Sequence, residues 1–244
     1  MGKFLKHDLR ANKKILKIFL LIHIVLIGLA ILGHGIFKGS LLREAYFANL
    51  IFIGALLYFI GLSIYFAYKS INRDFKSDSL YLLVTSPKNP RSYIWAKILT
   101  IGLVYILNFL GIFVILKVLK YEINSNIIYF ILLGLIWMMI FASLIIFNRQ
   151  INRFNQASTY KFYYIGLILS ILLFGYLFCK YLSLVIVAGK IQHAGPMDYG
   201  FIYPFAIGRF DQYKNLSTLL YYILALVITV IIGSWNLRKN KDLS

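Results

Sequence analysis

Between Glu44 and Lys69 the chain reads AYFANLIFIGALLYFIGLSIYFAY (residues 45–68), 24 residues without a single charged side chain. Crossing a hydrocarbon core of about 30 Å takes about 20 apolar residues in an α-helix, so this stretch alone predicts a membrane span. Five more charge-free runs reach that length, between Lys17 and Lys38, Lys97 and Lys117, Glu122 and Arg149, Lys161 and Lys180, and Lys214 and Arg238. Together they predict six spans, at about 18–37, 45–68, 98–116, 126–148, 162–182 and 215–237. The next longest runs, Ser79–Pro87 and Tyr199–Gly208, are too short to cross. All four prolines (Pro87, Pro90, Pro196, Pro204) fall in those short pieces or their flanks, which predicts uninterrupted helices.

Composition agrees with this reading. The 244 residues are 61% hydrophobic and 14% charged, with a mean hydropathy of +0.78, whereas soluble domains are roughly a quarter charged. Soluble, disulfide-rich secreted, collagenous and disordered classes are excluded. A single cysteine, Cys179, rules out an internal disulfide framework and a cysteine-based zinc site. The first run follows a basic segment, but it has the length of a full span and no small-residue cleavage site follows, so it reads as a retained span.

The charges orient the spans. Six basic residues precede the first span (Lys3, Lys6, Arg10, Lys13, Lys14, Lys17), six lie between spans 2 and 3 (Lys69, Arg73, Lys76, Lys88, Arg91, Lys97), three between spans 4 and 5, and three in the tail, which makes 18. The opposite side carries 8. Basic residues concentrate in cytoplasmic loops, so both termini are predicted to be cytoplasmic. The net charge of +18 then reflects topology and contact with anionic lipid, with no need for a nucleic-acid partner.

Three segments lie outside the spans. Over 3–17, the six basic residues fall within an arc of about 100° on a helix, the pattern of a helix lying in the cytoplasmic interface; Asp8 and Asn12 interrupt its apolar side. In the cytoplasmic loop 69–97, Ser77 or Asp78 can cap a short helix, Leu80 to Thr85 form its body and Pro87 stops it. Its cluster Leu80, Tyr81, Leu82, Leu83 and Val84 has to bury itself against lipid, the bundle or a partner protein. The outer segment 190–214 mixes glycine and proline with Tyr199, Phe201, Tyr203, Phe205 and Phe210, and reads as short interfacial or re-entrant helices capping the bundle.

The chemistry that is missing narrows the function. No acid sits inside a predicted span, which disfavours a proton-coupled carrier. No Gly-x-x-x-x-Gly-Lys-[Ser/Thr] occurs, so any ATP hydrolysis belongs to another polypeptide. His23 and His34 lie about 20° apart on one face of the first span and could line a pathway, but no third ligand accompanies them and bonding within the bundle is the favoured reading. Gly166 and Ser170 form a small-x-x-x-small pair, and Gly54, Tyr58, Gly61 and Tyr65 share one face of span 2. Both are candidates for helix or dimer packing; with Asn108 and His23, the tyrosines are also candidates for a polar route. No catalytic, cofactor-binding or metal site emerges, and the chain does not read as an enzyme.

Six spans, an amphipathic entry helix and a cytoplasmic apolar cluster resemble the permease subunit of the type-two family of ABC exporters. Locally the resemblance is carried by Arg73, Asp74, Phe75, Asp78, Leu80, Leu82, Leu83, Thr85, Ser86 and Pro87, followed by Lys97. It implies an all-α integral membrane protein of the bacterial cytoplasmic membrane, a half-permease without an external domain. It also implies that a second permease copy, identical or homologous, and two separate ATPase subunits carrying ATP and Mg complete the transporter. By the same resemblance, Asp78, Ser79, Leu80, Tyr81, Leu82, Leu83, Val84 and Thr85 form a coupling helix seated on the ATPase, and Lys3–Lys17 an interfacial connecting helix. The exported substrate would be an amphipathic peptide or another hydrophobic compound. The competing reading is an accessory or immunity membrane protein that binds a peptide or partner without pumping.

Overall fold

The computed structural model describes residues 2–36, 39–76, 90–120, 125–154, 158–182, 184–187, 189–193, 199–202, 205–208 and 214–241. Seven helices make up most of it: α1 (Gly2–Ala11), α2 (Lys13–Ile36), α3 (Leu41–Lys76), α4 (Pro90–Val118), α5 (Ser125–Phe154), α6 (Ser158–Leu182) and α7 (Leu216–Lys241). Each of the six charge-free runs lies in one of the helices α2 to α7. Five helices are long and apolar enough to cross a membrane, over Lys13–Gly33, Ala45–Phe75, Ser92–Val118, Ile131–Gln150 and Leu216–Trp235; α6 carries a shorter described apolar stretch, Phe162–Phe178. Their outward faces carry Leu20, Leu21, Ile24, Leu50, Leu57, Leu107, Phe174 and Ile231, all exposed. Apolar surface that continuous belongs against lipid, and the chain is a multi-pass membrane protein.

The chain divides into two compact units, residues 1–73 with 96–123, and residues 74–95 with 124–244. In the first, the buried positions follow helical spacing on every element. They are Asp8, Asn12, Ile15, Phe19, His23 and Ala30 along α1 and α2; Ile51, Ala55, Phe59, Ser63, Phe66 and Ser70 on α3; and Lys97, Ile101, Val104, Asn108, Ile112 and Ile115 on α4. Rings lock the stripe, with Phe19 edge-on to Phe66 at 6.1 Å and Phe59 tilted against Tyr105 at 4.7 Å. Gly39, at φ +105°, sits between α2 and α3 in a conformation that side chains other than glycine rarely adopt.

In the second unit, α5 and α7 pack along each other. Ser143 Oγ donates to Thr229 Oγ1 at 2.7 Å, and Trp137 stacks on buried Tyr222 at 5.9 Å. The Tyr221 hydroxyl donates to the Ile171 carbonyl and ties α6 to α7. Between α6 and α7 the backbone forms strands: β1 (Leu184–Val187), β2 (Lys190–His193), β3 (Tyr199–Ile202), β4 (Phe205–Gly208) and β5 (Lys214–Asn215). They pair antiparallel in the order β2-β1-β5, with β3-β4 apart. The Leu184 N–H donates to Ser217 Oγ at 2.7 Å and anchors the sheet to the first turn of α7.

Two expectations change here. Within 190–214 the described residues 190–193, 199–202, 205–208 and 214 are strand where short helices were expected, in keeping with the aromatic and β-branched residues among them, such as Tyr199, Phe201, Ile202, Phe205 and Ile207. The connection expected over 69–97 is shorter, because α3 continues to Lys76 and α4 begins at Pro90. Charged side chains end an apolar run without ending a helix, and Pro90 stands at the first helical position, where its missing N–H costs nothing.

Candidate functional site: a buried charge cluster on three helices

Asp8 on α1 is 6% exposed and Lys97 on α4 is 3% exposed. The carboxylate Oδ1 accepts from Lys97 Nζ at 2.7 Å and from Arg73 Nη2 on α3, also at 2.7 Å. Ser70, one turn before Arg73, closes the cluster. Its hydroxyl oxygen receives Lys97 Nζ at 3.0 Å and donates to Asp8 Oδ1 at 3.3 Å. Asn12, one turn after Asp8, accepts from Arg73 Nη1 at 3.0 Å and donates to the Asp8 carbonyl at 2.9 Å and to Ser70 Oγ at 3.3 Å. An ammonium with its hydrogens directed at a carboxylate and a hydroxyl is the form in which a charge tolerates burial.

This arrangement corrects the reading of three residues. Asp8 and Asn12 are the inward-facing start of the stripe that continues through Ile15, Phe19 and His23, where they had looked like blemishes on a lipid-facing side. Lys97, counted among the loop cations, lies within α4 and is enclosed. Lys6, Arg10, Lys13, Lys14 and Lys17 are exposed on the other side of α1 and the start of α2, as an interfacial helix requires; the side chain of Lys3 lies outside the described residues.

A second polar group lies on α2, α3 and α4 of the same unit. His23 is buried, with Nδ1 2.7 Å from the Phe19 carbonyl and Nε2 3.1 Å from the Asn108 carbonyl on α4. Tyr58 meets the imidazole edge-on at 5.4 Å, and its hydroxyl donates to the Phe19 carbonyl at 3.2 Å. Asn108 Nδ2 donates to the Phe59 carbonyl at 3.2 Å and to Ser63 Oγ at 3.1 Å. The ring of His23 lies on Gly111, where any Cβ would overlap it. Glycine there lets the two helices approach closely enough for the bond to Asn108.

The remaining predicted site residues separate. Tyr65 is exposed and receives Lys69 Nζ at 2.9 Å, so it is no part of the inner polar group. Gly166 and Ser170 are exposed on α6, and nothing lies within 4 Å of a Cβ built at Gly166, so they do not pack within their own unit. The side chain of His34 lies outside the described residues, as do Asp78, Ser79, Leu80, Tyr81, Leu82, Leu83, Val84 and Thr85. Among the described residues no group of three His, Cys, Asp or Glu side chains could hold a metal ion.

The cluster joining Asp8, Ser70, Arg73 and Lys97 was missed in the sequence. Its signal was an acid and an amide four residues apart, in line with the buried face of the following span. What the arrangement does is mechanical: one carboxylate bonds the N-terminal helix to α3 and α4, the helices on either side of residues 77–89. No protein-family model, curated protein or solved structure matches the chain.

Proposed function

We propose that the chain is the membrane-spanning permease subunit of an ATP-driven exporter resembling the type-two ABC family. It has six spans with both termini in the bacterial cytoplasm, works as a dimer, and is driven by two separate ATPase subunits seated on the loop between α3 and α4. The substrate class is an amphipathic peptide or a comparably hydrophobic compound.

The observation that carries this reading is the attachment of the N-terminal helix, through Asp8, to Arg73 and Lys97. Arg73 is in the last turn of α3 and Lys97 about two turns into α4, the helices that flank the segment bearing Leu80 to Val84. A force applied to that loop by an ATPase is delivered to α3 and α4 at the points where Asp8 joins them. The length of α3 supports the same role: its 36 residues rise about 54 Å, longer than the hydrocarbon core is thick, so its last turns can act as a lever outside the membrane. The 18 to 8 distribution of basic residues supports a cytoplasmic position for the segment between α3 and α4, where ATP is available.

The test is to express the tagged chain with the P-loop ATPases encoded beside it. A complex of two permease and two ATPase chains in nanodiscs is the expected result. A chain that stays monomeric and recruits no ATPase contradicts the reading and leaves the accessory or immunity protein in its place.

A further inference from the structure

Asp8 serves two cations with a single oxygen, and the two differ in their access to water. The Lys97 side chain is 2% exposed and that of Arg73 33%, while both stand 2.7 Å from Oδ1. Such pairs respond differently to being broken. A buried ammonium that loses its carboxylate has no solvent to turn to, so separation costs heavily. A part-exposed guanidinium is rehydrated as it leaves, and an ion pair of that kind contributes little net free energy. Ser70 and Asn12 sharpen the contrast. Ser70 holds Lys97 from α3 through a neutral bond at 3.0 Å, and Asn12 gives Arg73 a second anchor on the N-terminal segment at 3.0 Å. Of the two charge pairs, the releasable one is therefore on the α3 side and the strong one on the α4 side, with buried Ser70 as the neutral tie between them.

We infer that Asp8 is an asymmetric clasp: α1 is fixed to α4 through Lys97 and rides with it, while α3, held otherwise by the hydrogen bonds of Ser70 and Asp74, loosens from α1 when Arg73 lets go. The clasp is a regulatory device for the loop that α3 and α4 flank, and it closes when Arg73 returns to Asp8. It rests on the permease reading only for the identity of what pulls on the loop. Asp8 and Lys97 act as positioning residues, holding helices in place without touching a substrate.

The experiment uses the full chain alone in nanodiscs, without any ATPase, with Cys179 replaced by serine. Nitroxide pairs are placed at exposed positions, His7→Cys with Ile64→Cys for α1 to α3, and His7→Cys with Leu99→Cys for α1 to α4. Raising the salt from about 0.1 M to about 1 M shortens the Debye length from roughly 10 Å to roughly 3 Å and weakens exposed pairs selectively. The expected EPR result is that high salt broadens the 7–64 distance distribution and leaves the 7–99 distribution narrow, and that Arg73→Gln does the same at low salt. Equal broadening of both distributions, or no change in the 7–64 pair under either treatment, overturns the clasp. The salt arm needs no variant at the cluster, so misfolding cannot obscure the answer. Because no ATPase is present, failure here is distinct from failure of the permease reading.

Discussion

Asp8 and Lys97, 89 positions apart, meet with Oδ1 and Nζ at 2.7 Å in a site closed to solvent. One is the only acid of the N-terminal segment and the other is a lysine inside an apolar helix. The buried ammonium is not tolerable there without the carboxylate, and their pairing joins the first helix to α4.

Removing the carboxylate alone is therefore expected to cost more than removing both charges. Asp8→Asn, which strands the buried Lys97 ammonium, should lower stability by about 3–5 kcal/mol; Lys97→Met, which leaves Asp8 paired with Arg73, should cost less, and the double variant should recover much of the Asp8→Asn loss. Thermal unfolding in nanodiscs, analysed as a double-mutant cycle, measures this. Additive losses would mean that the two charges do not depend on each other.

Gly111→Ala is expected to force the His23 ring off α4 and break its bond to the Asn108 carbonyl, with a loss of about 1–3 kcal/mol typical of overpacking. Combining it with His23→Ala should remove the overlap, so the double variant is predicted to lose less than the sum of the two singles. Unfolding midpoints of the three variants check this.

Asn108→Ala deletes the amide that bonds the Phe59 carbonyl and Ser63 on α3. Hydrogen bonds between membrane helices average about 0.6 kcal/mol and reach about 1.7 kcal/mol, so the expected loss lies in that range and well below that of Asp8→Asn. If Asn108→Ala proved the more damaging, the inner polar group would be the main tie among these helices.

Orientation is testable residue by residue. On a Cys179→Ser background, Gln192→Cys in β2 should react with an impermeant maleimide added to intact cells, whereas His7→Cys should react only after the membrane is opened. The reverse pattern would invert the topology derived from the basic residues.

The helices were legible because the signal is local: the absence of charge over about 20 residues is decided by neighbours in the chain alone. Their ends were less so. Lys69 and Arg73 close the apolar run of span 2, yet the backbone bonds of α3 continue past them to Lys76. The strands between α6 and α7 were missed because a few aromatics and glycines satisfy an interfacial helix and a hairpin equally well at that length. His23 and Asn108 were recognised as polar residues in spans, while their contact, through the gap left by Gly111, depends on a crossing that no local pattern encodes. The Asp8 cluster was hidden for the same reason: its members come from three helices, and Asp8 looked like an interruption in the apolar side of an interfacial helix. Its periodicity with Asn12, Ile15 and Phe19 was on view, and the polar residues in that series marked a buried partner still to be found.

The central claim is that an ATPase drives this chain through the loop between α3 and α4. It is tested most directly by reconstituting the chain with its ATPase in nanodiscs and measuring ATP hydrolysis with and without amphipathic peptide, for the parent protein and for Leu82→Asp and Leu83→Asp. The account predicts peptide-stimulated hydrolysis by the parent complex, and variants that insert normally but neither hold the ATPase nor respond to peptide. Variants that bind the ATPase and respond to peptide as the parent does would contradict it.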